Sequence, residues 1–189
     1  MEENDDMSTF DSKIELLFEK VVNYAEKNDI KKIIIFAKEK NNVLKLRKQI
    51  GNKNIQLIVT TFPMNQVLYL EDENENIEEY YPELYEHNER MILENEGIQV
   101  LSSTLPLESV IIPGYDANPY DIIKRTLNLF GVGIDLVVQS ALMTTDMGAT
   151  VPNERVISMN TITFVDMNTT NSRYLFHPSK KIKINSINE

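Results

Sequence analysis

The sequence contains no cysteine, and this absence narrows the chemistry that the protein can perform. Zero Cys among 189 residues excludes disulfide bonds, thiolate nucleophiles and cysteine-ligated metals. It also fits a reducing compartment, and an acidic N-terminus without a basic or an apolar region predicts no secretory signal. We therefore expect a cytoplasmic protein.

Long apolar runs and large basic clusters are also missing. No apolar stretch reaches the roughly 18 residues needed to span a bilayer, so we expect no membrane association. Nucleic acid is disfavoured as a partner, because the neutralisation of phosphates needs a clustered basic surface. The sequence has only one basic cluster, formed by Lys180, Lys181 and Lys183. This cluster is too small to indicate or to exclude nucleic-acid binding.

Motifs for common cofactors and catalytic centres are absent as well. There is no G-x-G-x-x-G, Walker A or G-x-S-x-G pattern. Gly131-Val-Gly133 lacks the third glycine of the dinucleotide fingerprint and follows a helical pattern, so it is typical of a helix end. The two histidines, His87 and His177, are too isolated for the usual metal sites. We predict structural or surface roles for both.

What the sequence does contain is one strongly acidic segment. The formal net charge is −10, from 19 basic and 29 acidic residues. Between Glu71 and Glu96 there are eleven acids and one base, Arg90, and the remaining 18 acids and 18 bases cancel. The acids lack the spacing of a calcium-binding loop. They therefore predict a solvated face.

The hydrophobic pattern predicts alternating helices and strands. Continuous β-branched runs are typical of strands buried in a parallel sheet, and apolar residues at helical spacing indicate helices. We predict helices over 12–27, 41–50, 82–95, 118–130 and 135–145, and strands over 32–37, 55–61, 98–102, 155–159, 173–177 and 181–187. A strand over 136–138 is the alternative to the last helix. Residues 64–76 predict a loop.

This order of elements predicts an α/β fold with a mostly parallel sheet. Residues 1–10 are polar and without periodicity, which predicts a disordered acidic tail. Residues 11–189 are expected to form a single domain.

The loop after the first predicted strand is a candidate phosphate site. Ligands of α/β sheets bind at the carboxyl ends of strands and at helix N-termini. Lys38 and Lys40 supply positive charge there, and Asn41 or Asn42 can cap the next helix. Since no glycine lets the backbone wrap closely around a phosphate, a plain charged loop is the alternative.

A second polar segment, residues 160–172, is rich in Thr and Asn. Such residues serve turns and strand edges, and they also make hydrogen bonds with polar ligands. Both interpretations are open. Asp146, close to Gly148, likewise allows either a structural hydrogen bond or a role in ligand binding.

A more specific pattern extends from Asn118 to Ser158. A helix opening at Pro119 leads into Leu-x-x-Phe-Gly-x-Gly, then a Val–Met–Asp–Gly segment, then a segment with Pro, Glu and Val-Ile. The matching positions are Leu127, Phe130, Gly131, Gly133, Val137, Met143, Asp146, Gly148, Pro152, Glu154 or Arg155, Val156 and Ile157. This pattern resembles a family of small stand-alone proteins of archaea and bacteria that are similar to the C-terminal domain of pyruvate kinase.

The resemblance implies a three-layer α/β sandwich, in which a mostly parallel sheet is flanked by helices. In pyruvate kinase this domain makes subunit contacts and, in many enzymes, holds a sugar-phosphate effector. The stand-alone relatives look like binders of a phosphate-bearing ligand, with flavin mononucleotide (FMN) as a candidate. We therefore expect a homo-oligomer that binds a small anionic ligand, and no reaction is implied. The alternative is a ligand-free assembly module that uses the acidic segment 71–96.

Three ligand-facing loops depart from the family pattern and indicate a diverged site. They read Lys38-Glu-Lys-Asn-Asn42, Thr60-Thr-Phe-Pro63 and Met159-Asn160-Thr161, where the family has Ser-Gly, His and Gly-Gly-Thr. Asn171-Ser172 stands where the family has a polar Asp-Thr step. The predicted ligand-binding residues are Lys38, Lys40, Asn41, Asn42, Thr60, Thr61, Ser102, Ser103, Thr104, Asn160, Thr161, Asn171 and Ser172.

Overall fold

Helices and strands alternate along the chain in the computed structural model, which describes residues 2–63, 66–71, 76–80, 87–108 and 118–188. In chain order the elements are α1 Glu2–Lys27, β1 Lys32–Phe36, α2 Lys40–Ile50, β2 Gln56–Thr61, β3 Leu68–Glu71, β4 Ile77–Tyr80, α3 His87–Asn95, β5 Gln99–Ser102, α4 Asp121–Asn128, α5 Ile134–Asp146, β6 Arg155–Met159, β7 Phe164–Asn168 and β8 Lys183–Asn188. A 3-10 helix, Ser172–Tyr174, lies between β7 and β8. Within these residues, no helix combines the length and apolar character needed to cross a membrane.

In the part of the chain that the structure describes, six strands form one mixed sheet in the order β5-β2-β1-β6-β7-β8. The strands β5, β2, β1 and β6 run parallel, and β7 and β8 add antiparallel to β6. In the last pairing Asp166 lies opposite Ser186 and Met167 opposite Ile184, so Asn185 is an extra, bulged residue. The sheet confirms the predicted α/β class, with its parallel part on the side of β5.

Helices cover both faces of the sheet through two hydrophobic clusters. On one face Phe18 of α1 and Leu46 of α2 pack with Ile35 of β1. On the other face Val137 of α5 packs with Ile34. Neighbouring residues of an extended chain point to opposite faces, so β1 is buried on both sides. Each such buried aliphatic side chain stabilises the fold by about 1.5–3 kcal/mol.

The first helix begins earlier than the sequence predicts. Residues 2–10, predicted to be a disordered tail, continue the helix that ends at Lys27. The segment carries four acidic residues, and acids are favourable near the positive N-terminal end of a helix. The composition that suggested disorder therefore also suits a helix start.

The strands β3 and β4 form a β-hairpin that begins before the acidic segment, in a region where a loop is predicted. Leu68 of β3 pairs with Tyr80 of β4, and Glu71 pairs with Ile77. The loop prediction is therefore wrong for residues 68–71, whereas residues 64–65 and 72–75 lie outside the described part. The helix predicted over 82–95 is confirmed from His87 onward, and residues 82–86 are likewise outside it.

The C-terminal third differs from the prediction in one strand. The strand predicted over 173–177 is wrong, because Asn171 accepts a hydrogen bond from the backbone N–H of Arg173 and starts a 3-10 helix. A strand that the sequence did not predict, β7, lies inside the polar segment 160–172 and is mostly buried. The helix over 135–145 is confirmed against the alternative strand.

Candidate functional site

A cleft of about 460 Å³ opens at the carboxyl ends of β1 and β6. From β1 the chain proceeds to β2 and β5 on one side, and it later returns to β6 on the other side. Ligands of α/β sheets bind where the strand order reverses in this way. The volume lies in the range of about 300–1,000 Å³ that is typical of small-molecule sites.

One wall of this cleft is aromatic. Phe36, the last residue of β1, meets Phe62, just after β2, edge to face, with ring centroids 5.0 Å apart at an angle of 85°. Tyr80 reaches the cleft from the end of β4. Lys38 donates a hydrogen bond of 3.2 Å from Nζ to the hydroxyl of Tyr80. This bond ties the β3–β4 hairpin to the loop that follows β1.

Two helices begin at the same cleft. Glu39 is the N-cap of α2, and Gly133, with a φ of 73°, is the N-cap of α5. Neither helix receives a side-chain hydrogen bond from its N-cap. In the first turn of α5, the backbone N–H of Asp135 donates to Oδ1 of Asn128 at 3.2 Å. Because Glu39 and Gly133 both line the cleft, the positive ends of the two helix dipoles lie beside it, where they favour negative charge. Asn42, which is 8% exposed, donates from Nδ2 to Oε2 of Glu39 at 3.0 Å.

The turn between β6 and β7 closes the third side. Oδ1 of Asn160 accepts hydrogen bonds of 2.8 Å from the backbone N–H groups of Ile162 and Thr163. Its Nδ2 donates to the carbonyl oxygen of Val132 at 3.2 Å. Asn160 therefore acts as a turn residue, which is one of the two interpretations of the polar segment 160–172. It also joins this turn to the start of α5.

Four predicted ligand residues, Lys38, Asn42, Asn160 and Thr161, do line this cleft. The other predicted residues of the first two loops do not. Lys40 forms an ion pair of 3.1 Å with Glu89, and Asn41 is exposed.

The two threonines at the end of β2 are buried below the cleft. Thr60 donates to Oγ of Ser140 at 2.9 Å, which links β2 to α5. Thr61 is 3% exposed, and its hydroxyl has no hydrogen-bond partner among the described residues. Both were predicted to contact a ligand directly, but they lie beneath the surface that a ligand would reach.

The predicted residues of β5 lie to one side. Ser102 donates from Oγ to the carbonyl oxygen of Phe62 at 2.6 Å. It therefore supports the aromatic wall from behind. Ser103 is half-buried and Thr104 is exposed. Neither lines the cleft, because β2 separates β5 from β1 in the sheet.

The structure does not bring the predicted residues Asn171 and Ser172 to this cleft. Arg155, where β6 begins, pairs with Asn168, where β7 ends, so the antiparallel β7 carries the chain to the opposite edge of the sheet. There the backbone N–H of Ser172 donates to Oδ1 of Asp146 at 2.9 Å. This contact is a structural hydrogen bond of the kind that one of the two interpretations of Asp146 predicts.

The aromatic wall is the part of the site that the sequence prediction missed. Phe36 and Phe62 directly follow buried strand residues, and aromatic residues at strand ends were a usable signal. Tyr80 offered no such signal, because a hairpin brings it to the cleft from a distant part of the chain.

The histidines give no sign of metal binding. Nδ1 of His177 accepts a hydrogen bond of 3.2 Å from the backbone N–H of Ser179. The ring of His177 meets Tyr174 edge to face, with centroids 5.6 Å apart. Within the described ranges, no group of three or more His, Asp or Glu side chains is arranged to hold a metal ion.

Among the described residues, the most deeply buried carboxylate lies away from the cleft. Asp166 on β7 accepts hydrogen bonds of 3.0 and 2.6 Å from Nε and the terminal nitrogen of Arg155, and others of 3.0 Å from Tyr24 and Asn185. Burial alone would raise the pKa of Asp166. The hydrogen bonds from Arg155, Asn185 and Tyr24 and the charge of Arg155 outweigh it and hold the pKa below its ordinary value. A carboxylate bonded in this way is part of the scaffold.

No protein-family model matches the sequence, and no curated protein matches it. The resemblance to the pyruvate kinase C-terminal domain therefore stays a prediction. The candidate site rests on its own geometry.

Proposed function

We propose that the protein binds a small organic molecule in the cleft between β1 and β6. One observation carries this proposal: a cleft of ligand size, about 460 Å³, lies where the strand order of the sheet reverses. Such positions are the general ligand sites of α/β sheets. The aromatic wall and the two helix N-termini give the cleft two chemically different sides.

The lining favours a ligand that joins a flat ring to one anionic group. The rings of Phe36 and Phe62 suit packing against a planar ring. Lys38 and the first turns of α2 and α5 suit a negative group. Glu39 adds a negative charge at the same place, which disfavours a highly charged ligand. FMN has a flat ring and a single phosphate, so it is the first candidate, in keeping with the sequence resemblance.

The lining supports binding rather than catalysis. Among the described residues that line the cleft there is no histidine, the carboxylate of Glu39 is hydrogen-bonded to Asn42, and Lys38 and Tyr80 are hydrogen-bonded to each other. A general base would need a positioned group with access to the substrate. We therefore propose no reaction.

Ligand titration tests this function. Native mass spectrometry of the purified protein shows what accompanies it, and calorimetry then measures FMN, riboflavin and inorganic phosphate separately. We expect FMN to bind more tightly than riboflavin. Phe62→Ala and Lys38→Met should each weaken FMN binding by about tenfold, equal to about 1.4 kcal/mol.

Phe176→Ala is the matched control, because Phe176 is 70% exposed and does not line the cleft. It should leave the affinity for FMN unchanged. If the wild-type protein binds neither FMN nor riboflavin and carries no other ring-containing ligand, the proposal fails. Equal affinities of wild type and Phe62→Ala would also reject it.

A second candidate function is self-assembly. Leu129, Phe130 and Val132, between α4 and α5, are 83%, 61% and 71% exposed, and clustered exposed apolar side chains mark interaction surfaces. The acidic segment 71–96 gives weaker support, because Glu89 and Glu94 are paired with Lys40 and Arg90. Light scattering should show an oligomer that a Leu129→Ser/Phe130→Ser variant loses. A monomeric wild type would reject this function.

A further inference from the structure

A second cleft, of about 410 Å³, lies at the opposite edge of the sheet. It is enclosed by the turn before β6, the end of β7, and the segment between the 3-10 helix and β8. Its walls include Asn153, Thr170, Tyr174, Ser179, Lys180 and Lys181, and none of its lining residues is acidic. The cleft therefore carries two positive charges and no negative one.

The sequence around this cleft also carries a net positive charge. Residues 167–188 contain four bases and no acid, in a chain whose net charge is −10. Carboxylates that neighbour this cleft along the chain or through hydrogen bonds are already engaged, since Glu154 is paired with Lys32 at 3.0 Å and Asp146 accepts from Ser172. No ion pair among the described residues includes Lys180 or Lys181. This is therefore a local basic site on an acidic protein.

The segment that carries the two lysines is fixed to the fold. Thr170 donates from Oγ1 to the carbonyl oxygen of Lys180 at 2.6 Å. The backbone N–H of Lys181 donates to the carbonyl oxygen of His177 at 3.1 Å. Nζ of Lys180 lies 5.3 Å from the ring centroid of Tyr174, a cation–π contact that limits where this ammonium group can move. The backbone of both lysines and the ammonium group of Lys180 are thus held at the cleft.

We propose that this second cleft binds a small polyanion, a molecule with a phosphate group or with several carboxylates. A cleft lined by charge of one sign concentrates the electric field and attracts counter-charged ligands. Lysine ammonium groups bind phosphate and carboxylate oxygens through charge-assisted hydrogen bonds. The side chain of Asn153 and the hydroxyl groups of Tyr174 and Ser179 add neutral hydrogen-bonding groups at the rim.

The two clefts differ in the charge that they can accept. In the first cleft Lys38 is balanced by Glu39, whereas Lys180 and Lys181 have no acid beside them in the second. A strongly charged ligand therefore suits the second cleft better. This inference does not depend on the function proposed for the first one.

Titration of the full-length protein with inorganic phosphate, pyrophosphate and citrate tests the inference. Two-dimensional amide NMR at low salt should show saturable shifts confined to Asn153 and to residues 169–181 other than Pro178, since proline has no amide N–H. A Lys180→Ala/Lys181→Ala variant should bind the same anions at least about tenfold more weakly. Affinity should also fall as salt is added, since the charges lie at the surface.

Lys27→Ala/Lys48→Ala is the control for the charge change, because both side chains are exposed and neither lines the cleft. It should keep the wild-type affinity. A Lys180→Gln/Lys181→Gln variant with a native spectrum should also bind more weakly, which would show that the loss of affinity does not come from a folding defect. Binding of phosphates but not citrate would support a phosphate ester as ligand, and binding of both would support a general oxyanion site. Shifts that never saturate, that spread over other lysines, or that are equal in the double variant would overturn the inference.

Discussion

A Cβ atom added to Gly133 would lie 2.7 Å from Nδ2 of Asn160. The start of α5 and the turn after β6 therefore meet with no room for a side chain. Asn160 cannot move away freely, because its Oδ1 holds the backbone N–H groups of Ile162 and Thr163. This close approach fixes two sides of the first cleft relative to each other.

Gly133→Ala should lower the free energy of unfolding and disturb the first cleft. The φ of 73° is left-handed and costs a residue with a Cβ about 1–2 kcal/mol. Displacing Asn160 should add about 1 kcal/mol for the weakened hydrogen bonds. Urea denaturation measures the total.

Gly148→Ala separates the two contributions. Gly148 has a similar φ of 77°, but an added Cβ would meet nothing within 4 Å. This variant should show the backbone cost alone. If it destabilises the protein as much as Gly133→Ala does, the contact with Asn160 contributes nothing.

The stability of the protein should depend on Asp166 in acid. Its pKa is lower in the folded protein than in the unfolded chain, so ionised Asp166 stabilises the fold above the unfolded value of about 3.9. This contribution is lost as the pH falls through the folded pKa. Denaturation midpoints between about pH 7 and pH 2 should therefore fall less steeply in acid for Asp166→Asn than for wild type.

At neutral pH, Asp166→Asn should cost about 2 kcal/mol, because charge-assisted hydrogen bonds from Arg155 are weakened. Asp29→Asn is the control, since the Asp29 side chain is 86% exposed. It should follow the wild-type pH curve. Parallel curves for Asp166→Asn and wild type would show that Asp166 does not govern the acid dependence.

The aromatic wall of the first cleft should show direct coupling between its two phenylalanines. Phe36 and Phe62 meet edge to face at 5.0 Å, and such pairs contribute about 0.5–1.5 kcal/mol beyond area burial. A double-mutant cycle with Phe36→Leu and Phe62→Leu should give a coupling energy in that range. Additive effects of the two changes would mean that the rings pack independently.

Thr145→Val should destabilise the protein although it keeps the volume. The Thr145 hydroxyl lies 2.8 Å from that of Thr150 and 2.7 Å from that of Thr169, all buried. Its removal takes one hydrogen-bond partner from each, at a cost of about 1–3 kcal/mol. Thr126→Val, at an exposed site, should change the free energy of unfolding by less than about 0.5 kcal/mol. Thermal unfolding compares the two variants.

The sequence predicted the parallel half of the sheet well, because its strands are marked by composition alone. The run Lys32–Phe36 is continuously apolar after its first residue, since both faces of β1 are covered. Lys38 and Asn42 follow this recognisable strand, so the sequence could also predict that they lie near the candidate ligand site.

The remaining differences come from contacts that are distant in sequence. The polar residues around β7 gave no indication that Phe164 and Asp166 are buried. The carboxylate of Asp166 can be buried because Arg155 and Tyr24 donate hydrogen bonds to it. Asn171 and Ser172 were assigned to the ligand site from the family pattern, without knowledge of β7, whereas β7 carries the chain to the opposite edge of the sheet. Local propensity carries no information on such partners.

The bulge at Asn185 also has a bearing on solubility. The strand β8 is the last in the order of the described sheet, and an outermost strand can template the addition of strands from other molecules. A bulge twists such a strand and breaks its regular spacing, and Lys183 places a charge on it. The irregular strand therefore disfavours edge-to-edge aggregation of one molecule on another.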